Sequence, residues 1–309
     1  MKTLSLVVPV YYEEDCIGQF LKETIPVLEG LSMDYEIVFV DDGSQDRTPQ
    51  LIKQAASDNP KIKLLEFSYN HGKQAAVTAG ITYATGDYLL YMDPDLQDPP
   101  NEIPKFVDHI EKGFDLVFGV RKEKHDSFIN TAFSKLFWLL LARMTGLKIP
   151  KGLAVMRIFN RKFAQQFLKY GEQNRFIEGI FMHIAMKWTT IEIEQRPRFA
   201  GVSKFNFRRK FNLAFDAIFD FSALPLRLAA RVGLLFVIAG GLTLLAVVLL
   251  KIFLIDFQAG WPSLFSAILV GTGLNLYFIG IVAIYVGRIY REVKGRPLFS
   301  IKEKTNLES

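Results

Sequence analysis

The sequence predicts an α/β protein built on a doubly wound, mostly parallel sheet, with a membrane appendage in its C-terminal third. Three observations predict this. Short, near-continuously apolar runs alternate with helical patterns, as strands buried on both faces do. Three of those runs end at once in polar turns that begin at Tyr11, Asp41 and Asp93. Finally, residues 232–250 and 257–287 carry no charged side chain, and both stretches are long enough to cross ~30 Å of hydrocarbon. The 309 residues suffice for one α/β domain of about 200–250 residues plus that appendage.

Taken in order, residues 4–10 read as a first strand, closed by the turn Tyr11-Tyr12-Glu13-Glu14-Asp15 and followed by a helix over 16–28. Residues 36–40 form a second apolar strand that runs into Asp41-Asp42-Gly43-Ser44, after which Asp46 and Thr48 can cap a helix over 49–56. A weaker third strand at 63–66 leads to the turn Asn70-His71-Gly72-Lys73 and a helix over 74–84. The run at 88–92 is the fourth strand, Asp93, Asp95, Asp98 and Pro99-Pro100 break it, and 116–120 supplies another before Arg121.

The middle of the chain changes character. Ile129, Phe133, Leu136, Phe137, Leu140, Leu141 and Met144 make a helical apolar stripe, open to a core or a membrane-surface reading. Phe211, Phe215, Ile218 and Phe219 repeat the pattern beside Arg208, Arg209 and Lys210, directly before an uncharged run, which favours an in-plane interfacial helix. Basic residues flank the outer ends of the two uncharged runs (Arg227 and Arg231; Arg288, Arg291, Lys294 and Arg296), while Lys251 and Asp256 balance in the loop between them. The positive-inside rule therefore predicts a hairpin with both termini cytoplasmic. The expected organisation is a cytoplasmic catalytic domain over 1–206, an interfacial helix over 207–228, a transmembrane hairpin over 229–290 with spans at about 231–254 and 262–287, and a cytoplasmic tail over 291–309 whose polar end, Lys302–Ser309, is expected to be mobile. The net charge of +5 gathers at the membrane borders, which points to membrane lipids and away from nucleic acid. No signal peptide is expected, and the single cysteine, Cys16, suits a reducing compartment.

Asp93 and Asp95 stand two apart after a buried strand. At the carboxyl edge of an open sheet, such a pair suits a hard divalent cation that keeps waters and bridges to substrate phosphates. Asp-x-Asp is also a common loop tripeptide, and position is what favours the metal. His71, His109, His125 and His183 show no metal-ligand spacing.

Several motifs occur together and in order: Val8-Pro9-Val10-Tyr11-Tyr12-Glu13-Glu14, Val40-Asp41-Asp42-Gly43-Ser44, Gly72-Lys73, Asp93-Pro94-Asp95-Leu96-Gln97-Asp98-Pro99-Pro100 and Arg198-Phe199-Ala200-Gly201-Val202-Ser203-Lys204. With them the chain resembles family-2 glycosyltransferases of the GT-A fold. Its two-span tail resembles the polyprenyl-phosphate glycosyltransferases in particular, among them bactoprenol glucosyltransferases and, more distantly, dolichyl-phosphate mannose synthases. The resemblance implies transfer of one hexose, glucose from UDP-glucose, to undecaprenyl or dolichyl phosphate. GDP-mannose remains an alternative donor.

It also implies that Pro9, Tyr11, Glu13, Asp41, Asp42, Lys73, Asp93 and Gln97 bind the donor, and that Asp93 and Asp95 hold Mg2+ or Mn2+. Asp93, Asp95 and Arg121 would serve catalysis, and Arg121, Arg198, Ser203 and Lys204 would bind the lipid phosphate. These roles agree with the chemistry of the side chains. Carboxylates and Tyr11 at adjoining strand ends can accept from a base ring, and Arg forks suit phosphate oxygens. Lys73 reads equally as a nucleotide contact or a surface lysine, and Asp41-Asp42 also reads as a solvated turn.

Where many relatives carry an Asp-x-Gly-Asp-Phe-Arg-like segment, this chain has Gly152-Leu153-Ala154-Val155-Met156-Arg157, which keeps the arginine and lacks the acids. A processive polysaccharide synthase is disfavoured, because Gln173-Asn174-Arg175-Phe176 lacks the Gln-x-x-Arg-Trp spacing of those enzymes. A non-catalytic membrane scaffold is disfavoured by the intact Asp93, Asp95, Arg198 and Lys204. A homo-oligomer is compatible with the chain.

Overall fold

A computed structural model describes residues 2–121, 150, 152–173, 175–184, 186–197, 199, 224–253 and 260–307. Two units make up the chain, one spanning Met1–Phe211 with Pro297–Ser309, the other Asn212–Arg296.

In the first unit, strands β1 (Thr3–Val10), β2 (Asp34–Asp41), β3 (Ile62–Phe67) and β4 (Tyr88–Tyr91) appear where the apolar runs lie. They alternate with helices α1 (Glu14–Glu29), α2 (Thr48–Asp58) and α3 (Lys73–Tyr83). A 3-10 turn at Pro100–Glu102 and helix α4 (Ile103–Glu111) precede β5 (Leu116–Arg121). Then come β6 (Leu153–Asn160), α5 (Arg161–Leu168), α6 (Ile177–His183), β7 (Trp188–Ile193) and, after the second unit, β8 (Ile301–Thr305). Among the described residues these strands form one eight-stranded sheet in the order β7-β5-β6-β4-β1-β2-β3-β8.

Pairings β1–β2, β2–β3, β1–β4 and β5–β7 are parallel. Pairings β4–β6, β5–β6 and β3–β8 are antiparallel. From β1 the chain winds outward through β2 and β3, then returns to place β4 on the other side of β1. That reversal is a topological switch point, where ligands enter an open α/β sheet.

The core explains why the strands read as continuous apolar runs. Leu6, Val8, Phe39, Leu64 and Leu90 are fully buried in the central strands, and Phe20 of α1 meets Phe39 edge to face at 6.0 Å. Beneath β5 and β6 a second cluster joins Phe118, Phe159, Phe163, Phe167 and Phe181. At the end of the sheet away from the strands' carboxyl edge, the buried Glu36 carboxylate accepts from Ser5 Oγ at 2.5 Å, Thr85 N at 2.6 Å and Lys63 Nζ at 2.5 Å. Ser5 Oγ accepts in turn from Gly86 N at 2.8 Å, which fastens the entry to β4.

Several expectations change. β6 is a strand that the apolar run 153–160 conceals, because Arg157 sits in its middle. β7 alternates buried and exposed residues weakly, and was also not expected. The tail expected to be mobile instead adds β8 to the edge of β3, with Leu64 opposite Thr305 and Phe67 opposite Ile301. The N-cap position of α2 falls to Arg47, which makes no side-chain cap hydrogen bond; Asp46 just before it accepts from Thr48 N at 3.1 Å, and Thr48 Oγ1 accepts from Glu13 N at 2.9 Å and so ties the first turn to α2. The helical stripe expected within 128–147 lies outside the described residues, as does the interfacial helix expected over 207–228 up to residue 223; residues 224–228 begin the next helix instead.

In the second unit, α7 (Leu224–Phe253) and α8 (Trp261–Val293) run 30 and 33 residues. At 1.5 Å per residue each is about 45–50 Å long. Leu234, Leu235, Phe236 and Ile238 on α7, and Leu276, Tyr277 and Ile279 on α8, are exposed, which costs free energy in water and none in lipid. Among the described residues, the segment Gly271–Val293 is long and apolar enough to cross a bilayer.

Candidate active site

Four turns meet the carboxyl edge of β1, β2, β3 and β4, and each is held by the next. In the first, Tyr12 takes a positive φ of 54°, and its N–H donates to Ser44 Oγ at 2.9 Å. In the second, Asp41 is 2 % exposed; its Oδ2 accepts from Ser44 N at 3.0 Å, and its Oδ1 meets no hydrogen-bond partner among the described residues. Burial raises the Asp41 pKa against the Ser44 hydrogen bonds. Only a glycine fits at 43, where φ is +79° and a Cβ would stand 2.7 Å from the carbonyl carbon of Tyr69.

Asp42 proves to be a structural clasp. Its carboxylate accepts from His71 N at 2.6 Å, Gly72 N at 2.9 Å and Asn70 Nδ2 at 2.9 Å. Burial raises its pKa too, while the two backbone N–H groups act in the opposite sense. Asp42 thereby shapes the third turn, in which Gly72, at φ +93°, precedes the first residue of α3, Lys73.

Lys73 Nζ lies 2.7 Å from Asp93 Oδ2 in the fourth turn. Desolvation lowers the Lys73 pKa, but the charge of Asp93, with Tyr91, more than offsets it and keeps the ammonium protonated well above its usual range. The Tyr91 hydroxyl below is pushed up to about 12, first by burial.

Asp95 is buried in the same turn, where its Oδ1 accepts from Gln97 N at 3.1 Å. Arg196 and Phe199 also reach this turn: Arg196 N donates to Gln97 O at 2.9 Å and Phe199 N to Asp95 O at 3.1 Å. Asp98, 4 % exposed, points the other way and accepts from Val155 N at 2.9 Å and Met156 N at 3.0 Å. Arg121 Nη2 stands 3.6 Å from Asp98 Oδ1, and Arg121 N donates to Gly152 O at 2.9 Å.

The structure thus brings Lys73, Asp93, Asp95 and Gln97 to one turn system, with Arg121 joined to it through Asp98. Tyr11, Glu13, Asp41 and Asp42 stand at the neighbouring strand ends, and Pro9 is buried within β1, opposite Val40. Arg198, Ser203 and Lys204 lie outside the described residues. Asp98 was visible in the motif without a role, and its two strand amides explain why it is an acid. Arg157, in the segment without acids, is buried; it hydrogen-bonds Val155 O at 3.0 Å and Glu178 at 3.3 Å and stacks on Tyr91, Phe118 and Phe181. It is a structural cation, and no linear signal marks it as one.

No cluster of three or more His, Cys, Asp or Glu side chains suited to a metal occurs among the described residues. The chain offers two carboxylates from a single turn. That donor set fits a hard cation that completes its shell with water and substrate oxygens.

Fold and site together define a GT-A glycosyltransferase: a Rossmann-like mixed sheet with an acidic turn at its switch point. The description "Glycosyl transferase family 2" matches residues 5–168, and the chain belongs to that family. It is 34% identical over 306 residues to an uncharacterized glycosyltransferase of Bacillus subtilis (strain 168), covering 99% of this chain and 95% of that one. It is 38% identical to an undecaprenyl-phosphate 4-deoxy-4-formamido-L-arabinose transferase of Pseudomonas fluorescens (strain Pf0-1), over 97% of this chain and 89% of that one. Among solved structures, glucosyl-3-phosphoglycerate synthase from Mycobacterium tuberculosis, in complex with Mg2+ and uridine-diphosphate, superposes with a TM-score of 0.53 at 18% identity, over 71% of this chain and 77% of that one. The likeness to that structure is one of fold.

Proposed function

We propose that this enzyme moves one sugar from a nucleotide sugar to a polyprenyl phosphate at the cytoplasmic face of a membrane, with Mg2+ or Mn2+ bound through Asp93 and Asp95. The observation that carries the proposal is the acid pair at the β1/β4 switch point, with Lys73 on Asp93. A diphosphate brings several anionic oxygens, and a divalent cation with a nearby ammonium offsets that charge as the nucleotide leaves. Asp41, whose buried Oδ1 is an unused acceptor among the described residues, together with Tyr11 and Glu13, suits the base and ribose of the donor. Asp42 would act through the turn it clasps, and Gln97 through its hold on 195–196.

Arg121 keeps its Nε–H without a partner among the described residues, which suits it to an incoming phosphate. Arg198, Ser203 and Lys204 would complete the acceptor site. A phosphate monoester has its second pKa at ~6 and attacks as a dianion at pH 7, so no side chain has to remove a proton from it. The chain's residues then align that oxygen behind the anomeric carbon and hold the leaving group, giving direct displacement with inversion. The acid-free segment 152–157, with Arg157 committed to the core, accords with a site that has no general base.

The membrane reading rests on α8 and on the apolar exposure of α7, read as a two-span hairpin with cytoplasmic termini. UDP-glucose is the donor we propose. The relatives named 4-deoxy-4-formamido-L-arabinose transferases favour that sugar as a second reading. The test is a panel of labelled nucleotide sugars, these two and GDP-mannose included, incubated with the full-length enzyme, undecaprenyl phosphate and Mg2+ or Mn2+. A single glycosylated lipid of inverted anomeric configuration is expected; failure of every donor, or a retained configuration, overturns the reading.

A further inference from the structure

Strand β8 does more than lengthen the sheet, because the residues just before it reach the donor side of the site. Ser300 O accepts from Ser68 N at 3.0 Å, and Ser300 N donates to His71 Nε2 at 3.2 Å. Phe299 stacks flat on Phe67, with centroids 5.3 Å apart and an interplanar angle of 4°, and Phe67 meets the His71 ring edge-on at 5.4 Å. His71 is therefore held on one side by the C-terminal segment. On the other side its own N–H is bound by Asp42 at 2.6 Å.

Two residues later, Lys73 stands on Asp93. Further along, Lys53 bridges the buried Glu66 at 2.6 Å and Glu303 at 2.8 Å, and Asn306 Nδ2 donates to Ala56 O at 2.8 Å and Ile62 O at 2.9 Å. These anchors hold the strand, the first of them beside Glu66, which pairs in register with Asp41, while Phe299 and Ser300 are the residues that reach the turn at 70–72.

We propose that Phe299 and Ser300 are positioning residues: through His71 they hold the turn at 70–72, and thereby Lys73, in the geometry that receives the donor diphosphate. The donor half of this statement rests on the function proposed above; the hold on the turn does not. The turn includes a positive-φ glycine and is held by groups outside it, Asp42 on one side and the C-terminal segment on the other, and fixing it in this way spares the donor the cost of ordering it. The C-terminal segment supplies that fixation from the far end of the chain, where the linear motif Gly72-Lys73 gives no hint of it.

The test uses the full-length protein and the variants Phe299→Ala, Ser300→Pro and Phe299→Tyr, the last of which keeps a stacking ring. Two quantities are measured: amide hydrogen exchange over 70–73 against exchange over 4–10 in β1, and binding of UDP and of GDP, each with Mn2+. Faster exchange over 70–73 with β1 unchanged is expected in Phe299→Ala and Ser300→Pro, with nucleotide Kd raised about tenfold and both effects restored in Phe299→Tyr. Unchanged exchange over 70–73, or faster exchange with an unaltered nucleotide Kd, overturns the proposal. So does an equal rise in β1, which would mean a role in general stability only. If the wild-type protein binds neither nucleotide, the functional reading falls, and the exchange comparison still decides whether the segment holds the turn.

Discussion

Neighbouring acids in this site do different work, and the difference lies in what each carboxylate already holds. Asp42 is held by two backbone amides and Asn70, Asp98 takes two amides on Oδ2 while its Oδ1 faces Arg121 at 3.6 Å, Asp41 is half satisfied, and Asp93 faces Lys73 and solvent. Asp95→Asn, which keeps an acceptor for the Gln97 amide in this buried turn, is expected to abolish divalent-dependent nucleotide binding while leaving the melting temperature within a few degrees. Titration of Mn2+ and UDP, with thermal melting alongside, checks this; full transfer activity in excess chelator would remove the metal assignment. Asp98→Ala should behave in the opposite way. It leaves the amides of Val155 and Met156 without an acceptor in a dry site, at about 1–3 kcal/mol for each. A clear drop in melting temperature is expected even without substrate.

At the scale of the element, the end of the sheet opposite the site is fastened by Glu36. Burial raises its pKa, but Lys63, Ser5 and the Thr85 amide outweigh burial, and the folded-state value lies below the ordinary 4.5. A depressed carboxylate contributes stability that is fully present above the unfolded pKa and is lost as pH falls through the folded one. Acid unfolding should therefore steepen below about pH 4.5, and Glu36→Gln should flatten that limb. The variant should also be less stable at pH 7 by about 3 kcal/mol, since it leaves Lys63 facing a neutral partner. Denaturant titration at several pH values measures both; an acid limb identical to wild type would mean that Glu36 does not carry it. In the site-side turn, Gly43→Ala puts a side chain at positive φ against the backbone of Tyr69. A loss of a few kcal/mol and of nucleotide binding should follow.

For the whole molecule, the prediction concerns topology. Cys16 is buried, so single exposed cysteines can be placed without background. Cysteines at Gln258 and at Lys302 are expected to be labelled by an impermeant thiol reagent from opposite sides of a sealed vesicle. Labelling of both from one side would refute the hairpin.

Most of the parallel half of the fold was legible in the sequence. Strands buried on both faces must be continuously apolar, and their polar ends must fall where helices begin, so β1 to β5 and the turns at Tyr11, Asp41 and Asp93 could be read from local pattern alone. The motif acids were legible for the same reason, since they sit at strand ends. The family was legible because those ends recur in a set order. What only tertiary structure decided depends on partners distant in the chain. Arg157 breaks the apolar run of β6 and is tolerated because Tyr91, Phe118, Phe181 and Glu178 enclose it. That Asp42 also clasps the next turn could not be read from the sequence, because Asn70, His71 and Gly72 fold back on it from a distant strand end. The polar segment at the C-terminal end looked mobile because an exposed edge strand needs no apolar pattern. It is ordered because β3 presents an unpaired backbone edge, and Lys53, His71 and Phe67 bind what comes to it.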